Sequence, residues 1–288
     1  MRIIVPIDFS PTSALALRQA VELAEAAGYG LHVVHVYDGF TNDGALIELK
    51  GRPESEIKAR RKLNEFLRVN LVVPTPSHGR GEANLPDFRD SVILGDPGRI
   101  INDLSKAPDT ALVIMGGVGS GVGPGRPVLF GSVARAVALG SHCPVWLVPK
   151  GYAPQPIDRA ALAFDSVEDL RQIDHGFAAW RQHLDPAINF VHVVHDDEML
   201  EARQQMDLLN HIMKADFPGY PVDLDLIPPG KLAQRLEEYL AERTIDLLVM
   251  GRSHRSAMER LFSAPSAKPM LSRITIPFLI IPLTTPAN

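Results

Sequence analysis

A chain of 288 residues with 45% hydrophobic and 22% charged residues has the balance of a folded globular protein and is long enough for two domains with separate cores. That balance excludes a largely disordered chain; no apolar run reaches the roughly 18 residues of a membrane span, and Met1-Arg2 followed by Ile3-Ile4-Val5 reads as the start of a strand rather than a signal peptide. A net charge of −5 disfavours non-specific binding to nucleic acid or anionic membranes, and a single cysteine, Cys143, allows no internal disulfide, so the expected compartment is the cytoplasm.

The first predicted element is a strand from Arg2 that ends in a carboxylate, Asp8. Ser10-Pro11 then opens a helix in which Leu17, Val21 and Ala24 fall at i, i+4 and i+7, and Gly28 stands where a C-terminal cap belongs. Leu31 to Asp38 is a second strand. Its apolar run is continuous rather than alternating, as in a parallel sheet covered on both faces. Ser55 to Leu71 predicts a helix turning Ile57, Leu63, Phe66 and Leu67 toward a core, followed by a Pro, Gly and polar stretch from Pro74 to Pro86. A helix over Pro97 to Lys106 leads to a strand over Thr110 to Gly116. Glycines at 116, 117, 119, 121, 123 and 125 follow, then Gly131-Ser132 at the start of another helix, and a closing strand from Cys143 to Pro149.

The same order returns in the second half. Arg159 to Ser166 matches the first strand at an offset of 157, with Asp165 answering Asp8, and His192 answers His35 at that offset. Ile245 to Gly251 answers Thr110 to Gly116 at an offset of 135, and Ile276 to Pro282 answers the closing strand. The drop in offset leaves the first copy about 22 residues longer between Asp38 and Asp90. A linker is expected near Lys150 to Ile157, where Gly151, Pro154 and Pro156 interrupt the pattern, which divides the chain into domains 1–150 and 151–288. Residues 1–150 carry 16 Lys+Arg against 15 Asp+Glu, leaving 13 against 19 beyond, so the first half is the better host for an anion. The predicted architecture is α/β: two tandem, doubly wound, Rossmann-like parallel sheets of five strands each. Ligands of such sheets bind beyond the carboxyl ends of the strands, where Asp8, Tyr37 and Gly116 should lie.

The chemistry concentrates in the segment from Met115 to Val133. Glycines there permit close backbone approach and let successive amides turn toward an anion. The unsatisfied N–H groups at the start of the helix after Gly131, together with the Ser132 hydroxyl, suit a phosphate.

These residues resemble the universal stress protein family in the form with two domains fused in tandem. The resemblance rests on the Pro6-Ile7-Asp8-Phe9-Ser10 start, the His-Val strand, the Val113-Ile114-Met115-Gly116 strand end, Gly131-Ser132 and the Cys143-Pro144-Val145 strand, and it implies the adenine nucleotide α-hydrolase-like fold. In the ATP-binding branch the loop runs Gly, two residues, Gly, nine residues, Gly, then Ser or Thr. Gly116, Gly119, Gly131 and Ser132 fill those places with eleven residues, 120 to 130, in the long interval, and the nine-residue spacing is met from Gly121. The loop thus resembles a lengthened version of the motif. The resemblance implies an adenine nucleotide, ATP with or without Mg²⁺, held by Asp8, the backbone near Val36, Gly116, Gly119, Gly121, Gly131, Ser132 and Val133.

The second copy departs from the pattern. Gly251-Arg252-Ser253-His254 places an imidazole where a glycine belongs, and Ala264-Pro265 replaces Gly-Ser, so a structural and interaction role is expected of it, with Asp165 a relic. His32 and His35, like His192 and His195, are three apart on strands and point to opposite faces, so no metal is expected. Cys143 reads as a buried small hydrophobe, and Arg126 and Arg135 are candidates for neutralising phosphate. Neither a Gly-Lys-Ser/Thr phosphate loop nor a general base in the glycine segment is present, so at most slow hydrolysis is expected. In the family the last strand pairs domains, which implies that Val145 to Val148 and Phe278 to Ile281 make an intrachain pseudo-dimer, with a further homodimer open. The other class of reading is a nucleotide-independent adaptor.

Overall fold

The computed structural model describes residues 1–37, 53–71, 87–117, 131–194, 215, 224–227, 232–252, 261 and 274–283. The chain divides into two compact units, with the described residues up to Lys150 in the first and those from Gly151 in the second.

The first unit runs β1 (Arg2–Pro6), α1 (Pro11–Ala27), β2 (Gly30–Tyr37), α2 (Pro53–Asn70), β3 (Phe88–Leu94), α3 (Pro97–Leu104), β4 (Thr110–Gly116), α4 (Ser132–Gly140) and β5 (Val145–Val148). Its strands pair in the order β3-β2-β1-β4-β5, all parallel. Strands β1, β2 and β3 progress one way and β4 and β5 the other, so the order reverses between β1 and β4, the position where doubly wound sheets open a crevice. Ile3, Ile4, Val5, Val33, Val34, Val113, Ile114 and Trp146 are almost wholly buried, which is why these strands read as unbroken apolar runs.

Helix α1 begins where the sequence places it. Ser10 is extended at φ −74°, its Oγ accepts from the Ser13 N–H at 3.1 Å, and Pro11 occupies the first turn, where a missing N–H costs nothing. Gly28 closes the helix at φ 66° and donates to the Ala24 carbonyl. The buried face is Thr12, Ser13, Ala16, Leu17, Ala20, Leu23 and Ala24; Val21, expected inward, is half-buried at its margin. Helix α2 corrects the expectation at Ile57, which is 66% exposed. Its core stripe is Ala59, Leu63 and Leu67 at i, i+4 and i+8, and Ile57, two positions before Ala59, falls on the far side of the helix.

Gly116, at the end of β4, has a packing role that the sequence does not reveal. A Cβ there would stand 3.1 Å from the Ser13 nitrogen and the Thr12 carbonyl carbon, so the absent side chain lets β4 approach the first turn of α1. Cys143 is buried, as expected of a small hydrophobe, and its N–H donates to the Ser141 Oγ at 3.3 Å.

The second unit comprises β6 (Arg159–Phe164), α5 (Val167–Leu184), β7 (Ala187–Val193), β8 (Leu224–Ile227), α6 (Leu232–Glu242), β9 (Leu247–Arg252) and β10 (Phe278–Pro282). Its parallel order, β8-β7-β6-β9-β10, is that of the first unit. Phe164, Phe177, Trp180, Phe190 and Phe278 fill its core. Gly251 again makes room for a helix: a Cβ would lie 3.0 Å from Ile173 of α5 and 2.6 Å from the Leu283 Cδ1. No helix among the described residues is long and apolar enough to cross a membrane.

Candidate functional site

A cavity of about 330 Å³ opens in the first unit at the carboxyl ends of β1 and β4. Ile7, Val34, Ile101 and Met115 supply apolar wall, and Asp8, Ser13 and Ser132 supply polar groups. Six of the sequence-predicted residues line it together: Asp8, Val36, Gly116, Gly131, Ser132 and Val133. Gly119, Gly121 and Arg126 lie outside the described residues. Tyr37 is at the end of β2 but not on the wall, and Arg135 is an exposed residue of α4. Pro97 and Ile101 of α3 also reach the wall, which the sequence reading missed. The signal was available in the Asp96-Pro97 start of α3, where Asp96 Oδ1 accepts from the Arg99 N–H at 2.8 Å and sets the helix entry.

The glycine segment leaves β4 and returns to α4 through a backbone clasp. The Gly117 N–H donates to the Val148 carbonyl at 2.7 Å, and the Gly131 N–H donates to the Gly117 carbonyl at 2.6 Å. Gly131 is the N-cap residue of α4, extended at φ −71° and ψ 170°, and as a glycine it has no side chain with which to cap the helix. The N–H groups of Ser132, Val133 and Ala134 therefore have no acceptor within the helix, and all three residues line the cavity. Partial positive charge at this end of α4 faces the space an anion would fill.

Asp8 sits in a tight turn between β1 and α1. Its Oδ1 accepts from the Ser10 N–H at 3.1 Å, and the intervening Phe9 takes φ 66°, a left-handed conformation that few side chains other than Asn and Asp adopt readily. The Phe9 ring lies 4.3 Å from the His35 ring and 5.7 Å from Phe66 of α2, centroid to centroid, with the Lys62 Nζ 6.0 Å from its centre. His35 Nδ1 donates to the Ile7 carbonyl at 2.8 Å. Burial holds the His35 imidazole below its ordinary value, with Lys62 adding to that shift and the Ile7 bond and Asp8 opposing it. His32 turns the other way, with its Nε2 2.8 Å from Ser91 Oγ on β3. Burial, followed by the charges of Arg89 and Arg2, lowers it to about 4. The two histidines thus serve separate hydrogen bonds. Among the described residues no group of three or more His, Cys, Asp and Glu side chains could hold a metal.

In the second unit Asp165 is half-buried and Ser166 caps α5 directly, its Oγ accepting from the Asp169 N–H at 3.1 Å. Ser253, His254, Ala264 and Pro265 lie outside the described residues.

The first unit is thus a doubly wound α/β domain with its cavity at the reversal of strand order. A family model described as "Universal stress protein family" matches residues 1–149, just over half of the chain, and the protein belongs to that family. Among solved structures, a universal stress protein from Archaeoglobus fulgidus is similar at 16% identity and a TM-score of 0.67, with 98% of each chain covered. A protein described as a putative universal stress protein from Pseudomonas aeruginosa follows at 15% identity and 0.61, covering 98% of this chain and 92% of its own. These likenesses speak to the fold. A universal stress protein from A. fulgidus solved in complex with dAMP matches 50% of this chain and 94% of its own at 23% identity and a TM-score of 0.35.

Proposed function

We propose that this protein binds an adenine nucleotide in the first-unit cavity and serves stress response as a nucleotide-dependent sensor, with the second unit contributing structure and interaction surface. One observation carries the reading. A single cavity joins an apolar wall, the Asp8 carboxylate and the glycine-capped start of α4, which together match the base, sugar and phosphate of a nucleotide. At about 330 Å³ the described space lies at the small end of the range of roughly 300–1,000 Å³ for ligand pockets, in keeping with a single nucleotide.

ATP is the favoured ligand. The described lining offers one carboxylate, Asp8, so magnesium would arrive with the nucleotide and be held chiefly by phosphate oxygens and water. Among the described lining residues Asp8 is also the sole carboxylate that could activate a water, and its Oδ1 is engaged by the Ser10 N–H, which favours binding over turnover.

Calorimetric titration of magnesium-ATP into the wild-type chain and Gly131→Val tests this. The φ and ψ of Gly131 are open to valine, so the substitution would crowd the phosphate position without straining the backbone. Saturable binding lost in the variant is the expected result. Absence of binding by the wild-type chain at millimolar ATP would sink the nucleotide reading in favour of a nucleotide-independent adaptor.

A further inference from the structure

The turn that presents Asp8 is braced from outside the cavity. Phe9 holds a left-handed backbone that for most residues other than glycine costs on the order of 1–3 kcal/mol and persists where surrounding structure imposes it. The imposing contacts are visible. The ring packs at a 49° tilt against His35 of β2 and edge-on to Phe66 of α2, and the same His35 anchors the Ile7 carbonyl on the other side of Asp8. The carboxylate is therefore held between two fixed peptide groups, with its Oδ1 tied to the Ser10 N–H. Helix α2 lies within the segment that makes the first copy longer than the second.

We propose that Phe9 is a positioning residue for the ligand-binding Asp8, clamped by His35 and by Phe66 of α2, so that α2 is coupled to nucleotide affinity. This inference rests on the nucleotide reading of the cavity. The clamp does not touch the nucleotide. It removes rotational freedom from the turn, so the ordering that binding would otherwise demand of Asp8 is complete in the free protein. Phe66 contributes without lining the cavity.

The test is a double-mutant cycle on magnesium-ATP affinity by calorimetry with Asp8→Asn, Phe9→Gly and the pair, supported by thermal melts. Glycine suits φ 66° and removes the ring; Phe9→Asn, which also tolerates that conformation, is the second variant should the glycine chain fail to fold. Loss of the carboxylate contact should weaken binding about 10- to 100-fold, as for a hydrogen bond to a charged group. Phe9→Gly should weaken it about 5- to 10-fold with Asp8 present and less than about twofold with Asp8→Asn in place, because the ring acts through the carboxylate. Phe66→Ala should reproduce part of that loss. A purely structural phenylalanine would lower the melting temperature and leave affinity intact. If Asp8→Asn weakens binding and Phe9→Gly does not, or if the two losses multiply, positioning is overturned while the nucleotide site stands. If Asp8→Asn binds like wild type, the role of Asp8 falls and the inference falls with it.

Discussion

Protonation of His32 should make the first unit acid-sensitive. In the folded chain burial and the Arg89 and Arg2 charges hold this imidazole at about 4, against 6.5 for the free side chain. The folded pKa is depressed, so well above pH 6.5 neither state is charged and His32 exacts no penalty. As pH falls from 6.5 toward 4, the unfolded chain takes up a proton that the folded chain refuses, and stability declines. Those two values imply a loss of about 2 kcal/mol between pH 7 and pH 5, and about 3 kcal/mol once both states are protonated. Trp146 is fully buried in β5, so in a Trp180→Phe background its fluorescence reports unfolding of the first unit alone. Urea unfolding at pH 7 and pH 5 should show the decline in this chain and a decline smaller by about 2 kcal/mol in one that also carries His32→Asn. The absolute stability of the variant does not matter, since the Ser91 partner is perturbed in either case. An unchanged difference between the two pH values would refute the assignment of a neutral, buried His32.

Two glycines at matching strand ends should respond differently to alanine. Gly116→Ala would press a methyl against backbone atoms of Thr12 and Ser13, which cannot turn aside, and should destabilise the first unit by about 1–3 kcal/mol. Gly251→Ala meets side-chain ends of Leu283 and Ile173, which can rotate, so chemical denaturation should show a smaller cost. Ser10→Ala removes the acceptor for the Ser13 N–H and should cost about 1 kcal/mol, measured by the same transition.

The parts of the fold legible in the sequence are those set by local rules. Continuous apolar runs mark β1, β2, β4 and β5 and their second-unit counterparts, while β3 and β8, interrupted by charged residues, carry no such run; Ser10, Pro11 and Gly28 mark both ends of α1, because capping depends on residues within a few positions. Asp8, Gly116, Gly131 and Ser132 are legible for a similar reason, since strand ends and helix starts at a reversal of strand order converge once the topology is known, whereas Val36 and Val133 follow only from the family resemblance. What stayed hidden depends on non-local contact. The outward turn of Ile57 follows from which stripe of α2 meets the sheet: Leu63 and Leu67 face inward as expected, and the third member of the stripe, Ala59, is a weak apolar signal in the sequence. The tight fit of Gly116 against α1 and the packing of the Phe9 ring on His35 join residues 104 and 26 positions apart, and no spacing rule links them.

The comparison of the two copies turns on a single residue. Asp8 and Asp165 share the offset of 157, yet the helix-capping serines, Ser10 and Ser166, are offset by 156. The second copy thus lacks a counterpart to Phe9. Ser166 follows Asp165 immediately in an extended conformation at φ −140°, and the left-handed residue that separates carboxylate from cap in the first copy is missing. Asp165 cannot be presented to the end of its sheet by the same turn, whatever lies opposite it. If presentation by that turn matters, Asp165→Asn should leave magnesium-ATP affinity unchanged, and calorimetry should give one nucleotide per chain. A stoichiometry of two, or a loss of affinity on changing Asp165, would show that the second copy binds by a geometry of its own and that the turn around Phe9 is not what distinguishes them.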